Sequence, residues 1–371
     1  MGNRINLDEK MNNINTFFFD LIKVSTENNN RLSCIPMTNE WDEIYKLSKQ
    51  QTLVGVLFAA IKKLPAEQKP PRTLLLQWYG HTETIKAKNA QVNEDTVRIC
   101  EIVRNDGMRC LVLKGQGIAT YYPNPSLRQC GDIDLWIEGG LKNVKNYLHT
   151  KGEVKNIIYT HMDCDAPVST EVEVHHCPSY FYNPLYLWRM KRYFKGQTDL
   201  FENYINLPQD TGKIYIPTVE FNRFYILLHI YRHYFTEGIG LRQMLDYYYV
   251  ITKEDTEESK HRTMKLFKRT GMTGFVGATM WVLQKVFGLE DKYLLCNPDK
   301  RRGKQLLKEI LIAGNFGKFD DRINKNSQNK LFSRTWISFR RKLKFLTYYP
   351  QEILFDIPMR TYMYIWRRWV N

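Results

Sequence analysis

The sequence predicts an α/β fold of the α+β kind, in which a small mixed-sheet unit sits between two helical regions. Three observations predict it. Apolar residues recur at helical spacing up to about residue 105. From Asp106 to Pro178 the pattern changes to strand, turn and short helix in alternation. After Pro178 helical periodicity returns. This gives an N-terminal helical region (1–105), an α/β unit (106–180) and a C-terminal helical region (181–371).

In the first region Thr38 or Asn39 can cap a helix beginning near Glu40, along which Trp41, Ile44, Tyr45 and Leu47 recur. A second helix fits Leu53 to Ile61, and Pro65, Pro70 and Pro71 then break the pattern. A long amphipathic helix follows, with Leu74, Leu75, Trp78, Ile85, Val92, Ile99 and Ile102 near one stripe. Asp106-Gly107 signals a turn into a strand over Arg109–Leu113. Gly115 and Gly117 lead into a short helix that must stop by Pro123. Asp132–Glu138 alternates strictly and reads as a strand, Leu141–Thr150 as a helix, and Val154–Thr160 and Thr170–His176 as further strands. Beyond these, helices fit Thr218–Tyr234, Leu241–Ile251, Met272–Phe287 and Arg301–Ala313, with a polar loop over Asn315–Asn329.

With 43% hydrophobic and 25% charged residues in 371, the chain has the balance of a folded globular protein, which excludes disorder as its main state. The net charge of +15 suits partners that carry phosphate: nucleotides, nucleic acid or anionic lipid. Seven cysteines without a CxxC pair argue against a zinc ribbon or a disulfide framework and for reduced thiols in the cytoplasm. The residues before Asn13 lack the apolar core of a signal peptide, and no stretch supplies the ~20 apolar residues of a membrane helix.

The chemistry concentrates in Gly131-Asp132-Ile133-Asp134-Leu135-Trp136-Ile137. On a strand Ile133, Leu135 and Ile137 enter the core together, so Asp132 and Asp134 project side by side from the opposite face. Two such carboxylates repel and call for a cation. Magnesium, or manganese in its place, matches them, because it takes carboxylate oxygens and leaves room for water and phosphate. Thr170-Glu171-Val172-Glu173-Val174-His175 puts Glu171, Glu173 and His175 on one face of a second strand, and either glutamate can complete the site or serve as a base. Upstream, Lys114 and Gly115 lie between a strand and a short helix, where glycine lets backbone N–H groups approach phosphate. Lys114 and Arg128 can neutralise phosphate charge, and Arg128 can alternatively steady the aspartates through a salt bridge. The spacing is not that of a P-loop.

Lys114-Gly115, Tyr122-Pro123, Arg128-Gln129-Cys130-Gly131-Asp132-Ile133-Asp134-Leu135 and Val172-Glu173-Val174-His175 together resemble a bacterial nucleotidyltransferase-like family of the polymerase-beta-type nucleotidyltransferase superfamily. The likeness covers most of the chain and is most specific between Lys114 and Ile137. It implies a small mixed sheet with helices packed on it, and Asp132, Asp134 and Glu173 as metal-binding catalytic acids. Glu173 is favoured over Glu171 because it stands two residues before His175. The expected activity is magnesium-dependent transfer of a nucleotidyl group from a nucleoside triphosphate to an acceptor that could be a small molecule, RNA or protein. Where the superfamily commonly has Gly-Ser, this chain has Lys114-Gly115 or Gly115-Gln116. A catalytically silent module that binds RNA or a protein partner is therefore the alternative, and a toxin–antitoxin type modifier is a variant that differs in acceptor.

Outside this unit, His229 and His233 lie four apart on a helix but lack the glutamate of a zinc protease motif, and Arg242 and Asp246 have the spacing of an ordinary ion pair. The C-terminal segment interleaves Arg334, Arg340, Arg341, Lys342, Lys344, Arg360, Arg367 and Arg368 with Trp336, Phe339, Phe345, Trp366 and Trp369. It reads as a helical lid, with nucleic-acid or membrane-surface contact as the other readings.

Overall fold

The computed structural model describes residues 2–27, 29–152, 154–254, 256–319 and 341–370. The N-terminal region is helical: α1 (Gly2–Thr26), α2 (Thr38–Gln50), α3 (Val54–Lys63) and α4 (Arg72–Asn105). At 34 residues α4 extends about 50 Å. Its first half, with Leu74, Trp78 and Ile85, belongs to the large helical core, and its second half, with Val92, Ile99 and Val103, to the core beneath the sheet. One helix thus ties the two together.

Five strands form one sheet: β1 (Cys110–Val112), β2 (Ile133–Ile137), β3 (Val154–Ile157), β4 (His161–Cys164) and β5 (Val172–His175), in the order β1-β2-β5-β4-β3. Only β2 and β5 run parallel; the other neighbours are antiparallel. The short α5 (Gly115–Ala119) follows β1, and α6 (Gly140–His149) follows β2. Ile133, Leu135, Ile137, Met162, Val172 and Val174 pack with Val144 and Leu148 of α6 and with the end of α4.

The opposite face of the sheet is covered as well. Trp136 packs 4.9 Å from Phe201 and 6.0 Å from Phe221, ring centroid to centroid, and joins the large helical core. The whole of β2 is consequently buried, Asp134 included. The cover comes from the C-terminal region, through Phe194 of α7 (Pro184–Lys195) and Phe221 of α8 (Val219–Phe235). Behind them lie α9 (Leu241–Ile251), α10 (Glu257–Arg269), α11 (Thr273–Phe287) and α12 (Lys300–Ala313). The small hairpin of β6 (Tyr204–Asn206) and β7 (Lys213–Tyr215) joins the core that α4 and α6 share with the sheet. Tyr225, Leu228 and Tyr231 of α8 are buried together, so this helix is buried almost all round, with His229, Arg232 and His233 turned to the cavity.

Most elements lie where the periodicity predicts, within a few residues. β4, α7, α10 and the β6–β7 hairpin are additions. β4 reads His-Met-Asp-Cys and buries only Met162 completely, so it carries almost no apolar alternation. Residues 320–329 of the expected polar loop, and Arg334, Trp336, Phe339 and Arg340, fall outside the described residues. All seven cysteines are free thiols. Among the described residues no helix is long and apolar enough to cross a membrane.

The terminal helix, Asp356–Val370, docks on the sheet edge. Trp366 packs 5.2 Å from Tyr159, whereas Trp369 remains 87% exposed. The preceding turn is pinned by Glu352, whose Oε1 accepts from the Tyr182 N–H at 2.9 Å while its buried Oε2 has no hydrogen-bond partner among the described residues. Burial pushes the Glu352 carboxyl from an ordinary 4.5 up to about 7. The folded chain therefore keeps this proton to a higher pH than the unfolded chain. The resulting stability is complete below about 4.5 and is lost as pH rises through 7. Glu352→Gln should unfold at the same temperature as the wild type at pH 4.5 and at a higher one at pH 8, a gain of about 3 kcal/mol at most. Thermal melts at both pH values check this.

Candidate active site

The parallel register of β2 and β5 sets Asp134 directly opposite Glu173. Neighbouring strands lie roughly 4.8 Å apart, so the two carboxyls meet on the same face. Asp132, just before β2, joins them: one oxygen from each of Asp132, Asp134 and Glu173 lies within 4.8 Å of the others. These three acids, expected to act together, are together. Glu171 lines the same cavity but is outside the group.

Two nitrogen contacts hold Asp134. Lys114 Nζ is 2.8 Å from its Oδ1, and His175 Nε2 is 3.0 Å from the same oxygen. Burial alone would raise the Asp134 carboxyl; Lys114 and His175 outweigh it and keep the group well below the usual carboxylate range. Burial opposes a charge on His175 too, but the hydrogen bond to Asp134 and the nearby Glu173 carboxylate raise its pKa. Glu173, 3.6 Å from His175 Nε2, is likewise held low against burial by that imidazole. Asp132 differs. The charge of Asp134, and then withdrawal from bulk water, push its carboxyl up. The triad therefore contains a repulsion that the side chains around it leave partly uncompensated.

Lys114 reaches Asp134 because of the backbone after β1. Gly115 follows it at φ +50°, a left-handed conformation natural to glycine, and a Cβ there would meet the Asp132 carbonyl oxygen at 3.6 Å. On the far side, His229 Nε2 of α8 lies 3.5 Å from Lys114 Nζ, and burial with the Lys114 charge keeps that imidazole neutral, its pKa well below normal. His233 is 3.1 Å from Glu237 Oε2. Neither His229 nor His233 joins a metal-competent group among the described residues.

Arg128 is buried and two-pronged on Asp246 of α9, donating from Nε at 2.7 Å and Nη2 at 2.9 Å. Tyr122 donates its hydroxyl to Asp246 Oδ1 at 2.6 Å, and Arg242 Nη1 lies 3.9 Å from Oδ2. The expected Arg242–Asp246 pair thus exists, but the primary partner of Asp246 stands 118 positions earlier in the chain. Of the Arg128 nitrogens, Nη1 is the one that Asp246 does not hold, so any phosphate contact by Arg128 falls chiefly to it.

The acids open into a cavity of about 820 Å³. Its walls carry six basic side chains: Lys88, Lys114, Arg128, Arg232, Arg242 and Lys318. Lys88 comes from α4, Arg232 from α8 and Lys318 from the chain after α12. No local spacing in the sequence marks them. His161 on β4, opposite His175 in the ladder, is a further polar residue of the cavity that the sequence does not single out. A polyanion carrying a divalent cation matches such a cavity, with carboxylates for the ion and bases for the charge that remains.

A family model described as an uncharacterised nucleotidyltransferase matches residues 38–288. The match runs from the start of α2 to the end of α11 and includes Lys114, Gly115, Arg128, Asp132, Asp134 and Glu173. No curated protein and no solved structure matches the chain.

Proposed function

The chain belongs to the uncharacterised nucleotidyltransferase family, and from that premise we propose that Asp132, Asp134 and Glu173 hold a divalent cation, magnesium or manganese, for transfer from a nucleoside triphosphate. The observation that carries this reading is the convergence of three carboxyl oxygens within 4.8 Å beneath a wall of basic side chains. The donor set fits the ion: all three ligands are hard carboxylate oxygens, and the cavity leaves room for water and phosphate. When bound, the cation supplies charge neutralisation at the phosphates and at the departing pyrophosphate.

The protein's own groups do the rest. Lys88, Arg128, Arg232, Arg242 and Lys318 line the cavity as partners for phosphate oxygens, and Lys114 stands against Asp134. The acceptor oxygen attacks the α-phosphorus, the bond from that phosphorus to pyrophosphate breaks, and the acceptor proton must leave. We assign the proton to Glu173, whose side chain is 27% exposed against 3% for Asp134. The acceptor is a small molecule, RNA or protein. Placement in the polymerase-beta-type superfamily, cytoplasmic location, the division after residues 105 and 180, and nucleic-acid or membrane contact through the basic C-terminal segment belong to the same proposal.

One observation favours a catalytically silent module instead: Asp134 already has two internal partners, Lys114 and His175. Triphosphates labelled at the α- or the γ-phosphorus separate the two. On the active reading, incubation with magnesium and a cell extract moves the α-label to an acceptor and leaves the γ-label in pyrophosphate. No transfer of either label supports the silent module, and transfer of the γ-label alone contradicts the nucleotidyl chemistry.

A further inference from the structure

A second group of ligands adjoins the carboxylate triad. β4 runs antiparallel to β5, and its register pairs His161 with His175 and Asp163 with Glu173. The imidazoles of His161 and His175 therefore stand side by side on the face that carries Glu173, with ring centroids 5.1 Å apart. His161 Nδ1 lies 3.4 Å from Glu173 Oε2, and His175 Nε2 lies 3.6 Å from the same oxygen. Ligands about 2.1 Å from a tetrahedral ion stand roughly 3.4 Å from one another. Both nitrogens thus stand at that spacing from one Glu173 oxygen, and one donor atom from each of the three residues lies within 4.8 Å of the others.

The surroundings suit ligation. His161 Nε2, the ring nitrogen remote from Glu173, faces Asp163 Oδ1 at 3.7 Å. That carboxylate stands behind the imidazole without a hydrogen bond, on the side from which a metal-bound ring is supported, and His161 Nδ1 lies 3.3 Å from Thr160 Oγ1. His161 and His175 are 16% and 6% exposed in their side chains, so few waters compete for the position.

We propose that His161, Glu173 and His175 form a second cation site that takes a transition-metal ion such as zinc, cobalt or manganese in preference to magnesium. Two neutral nitrogens and one carboxylate oxygen are a borderline donor set, which zinc and cobalt favour, whereas magnesium seeks oxygen alone. Glu173 belongs to both sites and would join the two ions. The site shares that ligand with the magnesium reading but stands on its own geometry, and it holds whether or not the chain transfers nucleotides. In a two-ion centre the imidazole-bound ion takes over the contacts with Asp134 and Glu173 that His175 Nε2 makes here, and Lys114 remains on Asp134.

Cobalt(II) reports the site directly, because its visible absorption band is intense only when few ligands, arranged near-tetrahedrally, surround it. The full chain is titrated with cobalt chloride in an excess of magnesium chloride. The expected result is one bound cobalt per chain with the intense band. His161→Ala should weaken binding by ~10-fold or more, while Asp132→Ala should bind cobalt as the wild type does. Equal binding by His161→Ala and wild type overturns the proposal, as does loss of the wild-type band in excess magnesium. Equal loss in Asp132→Ala and His161→Ala places the ion at the carboxylate triad and overturns it as well. Should His161→Ala fail to fold, the wild-type competition with magnesium and the Asp132→Ala titration still decide. Failure of the magnesium reading shows up separately, as absence of triphosphate binding in a chain that binds cobalt.

Discussion

Asp132→Ala and Asp134→Ala should both abolish nucleotidyl transfer, by ~10³-fold or more, and yet part company in stability. Each removes a ligand from the proposed ion, whose charge neutralisation is worth several kcal/mol in the transition state. Their roles in the metal-free fold are opposite. Asp132 is exposed at the cavity, and the neighbouring Asp134 charge pushes its carboxyl up. Removing it relieves a repulsion, so the variant should unfold at the same urea concentration as the wild type or a higher one. Asp134 is buried and receives both Lys114 and His175. Removing it strands the Lys114 ammonium and leaves His175 Nε2 without its nearest partner, at a cost of about 3–5 kcal/mol. The pH dependence has a definite sign. Because the folded-state pKa of Asp134 is depressed, its contribution is present above the ordinary carboxylate range and disappears as pH falls through the folded value. The Asp134→Ala penalty should therefore shrink in acid. Urea unfolding of both variants at neutral pH, together with the α-label assay, checks the pair. Equal stability of the two would contradict the assigned electrostatics.

Asp246→Ala should be among the most destabilising single changes in the chain and should act from outside the carboxylate triad. It leaves the buried Arg128 and the part-buried Arg242 without their shared carboxylate, and it removes the acceptor of the Tyr122 hydroxyl. A broken buried pair costs about 3–5 kcal/mol, because the surviving charge has no partner and little water. Arg128→Met combined with Asp246→Leu removes both charges at similar volume and should recover most of that loss. Arg128→Lys keeps the charge but cannot reproduce the two parallel donors, so it should fall between these extremes. Urea denaturation with tryptophan fluorescence orders the four proteins. If Asp246→Ala costs less than about 1 kcal/mol, the Arg128–Asp246 pair is not the clamp that joins α9 to the segment before β2.

How much of this was legible beforehand depended on the range of the interaction. The Asp132–Asp134 alternation is local, and a strand geometry turns it directly into two carboxyls on one face. Glu173 needed one further inference, that β2 and β5 lie side by side, and residue spacing alone left Glu171 open. The register then sets Glu173, not Glu171, opposite Asp134. Arg128 reads well as a cation near the aspartates, but its partner Asp246 arrives from α9, and no periodicity relates positions so far apart. β4 was illegible because its residues are chosen for the cavity more than for the core: His161 and Asp163 face Glu173 and His175, and only Met162 reports burial. α7 and α10 escaped for a related reason. Both are rich in basic residues and offer the core few anchors, Met190 and Phe194 in one and Phe267 in the other. The burial of Asp134 is likewise a tertiary effect, since α8 covers a sheet face that strand alternation alone would leave open to solvent.

The central claim, that the three acids recruit a cation-bound triphosphate, is tested most directly by calorimetric titration of a nucleoside triphosphate into the full chain. The titration is run with and without magnesium, for the wild type and for the Asp132→Ala/Asp134→Ala double variant. The predicted result is saturable binding by the wild type that requires magnesium and is lost in the double variant. Magnesium-independent binding of equal strength in both proteins would contradict the claim and leave a basic cavity that holds anions without catalysis.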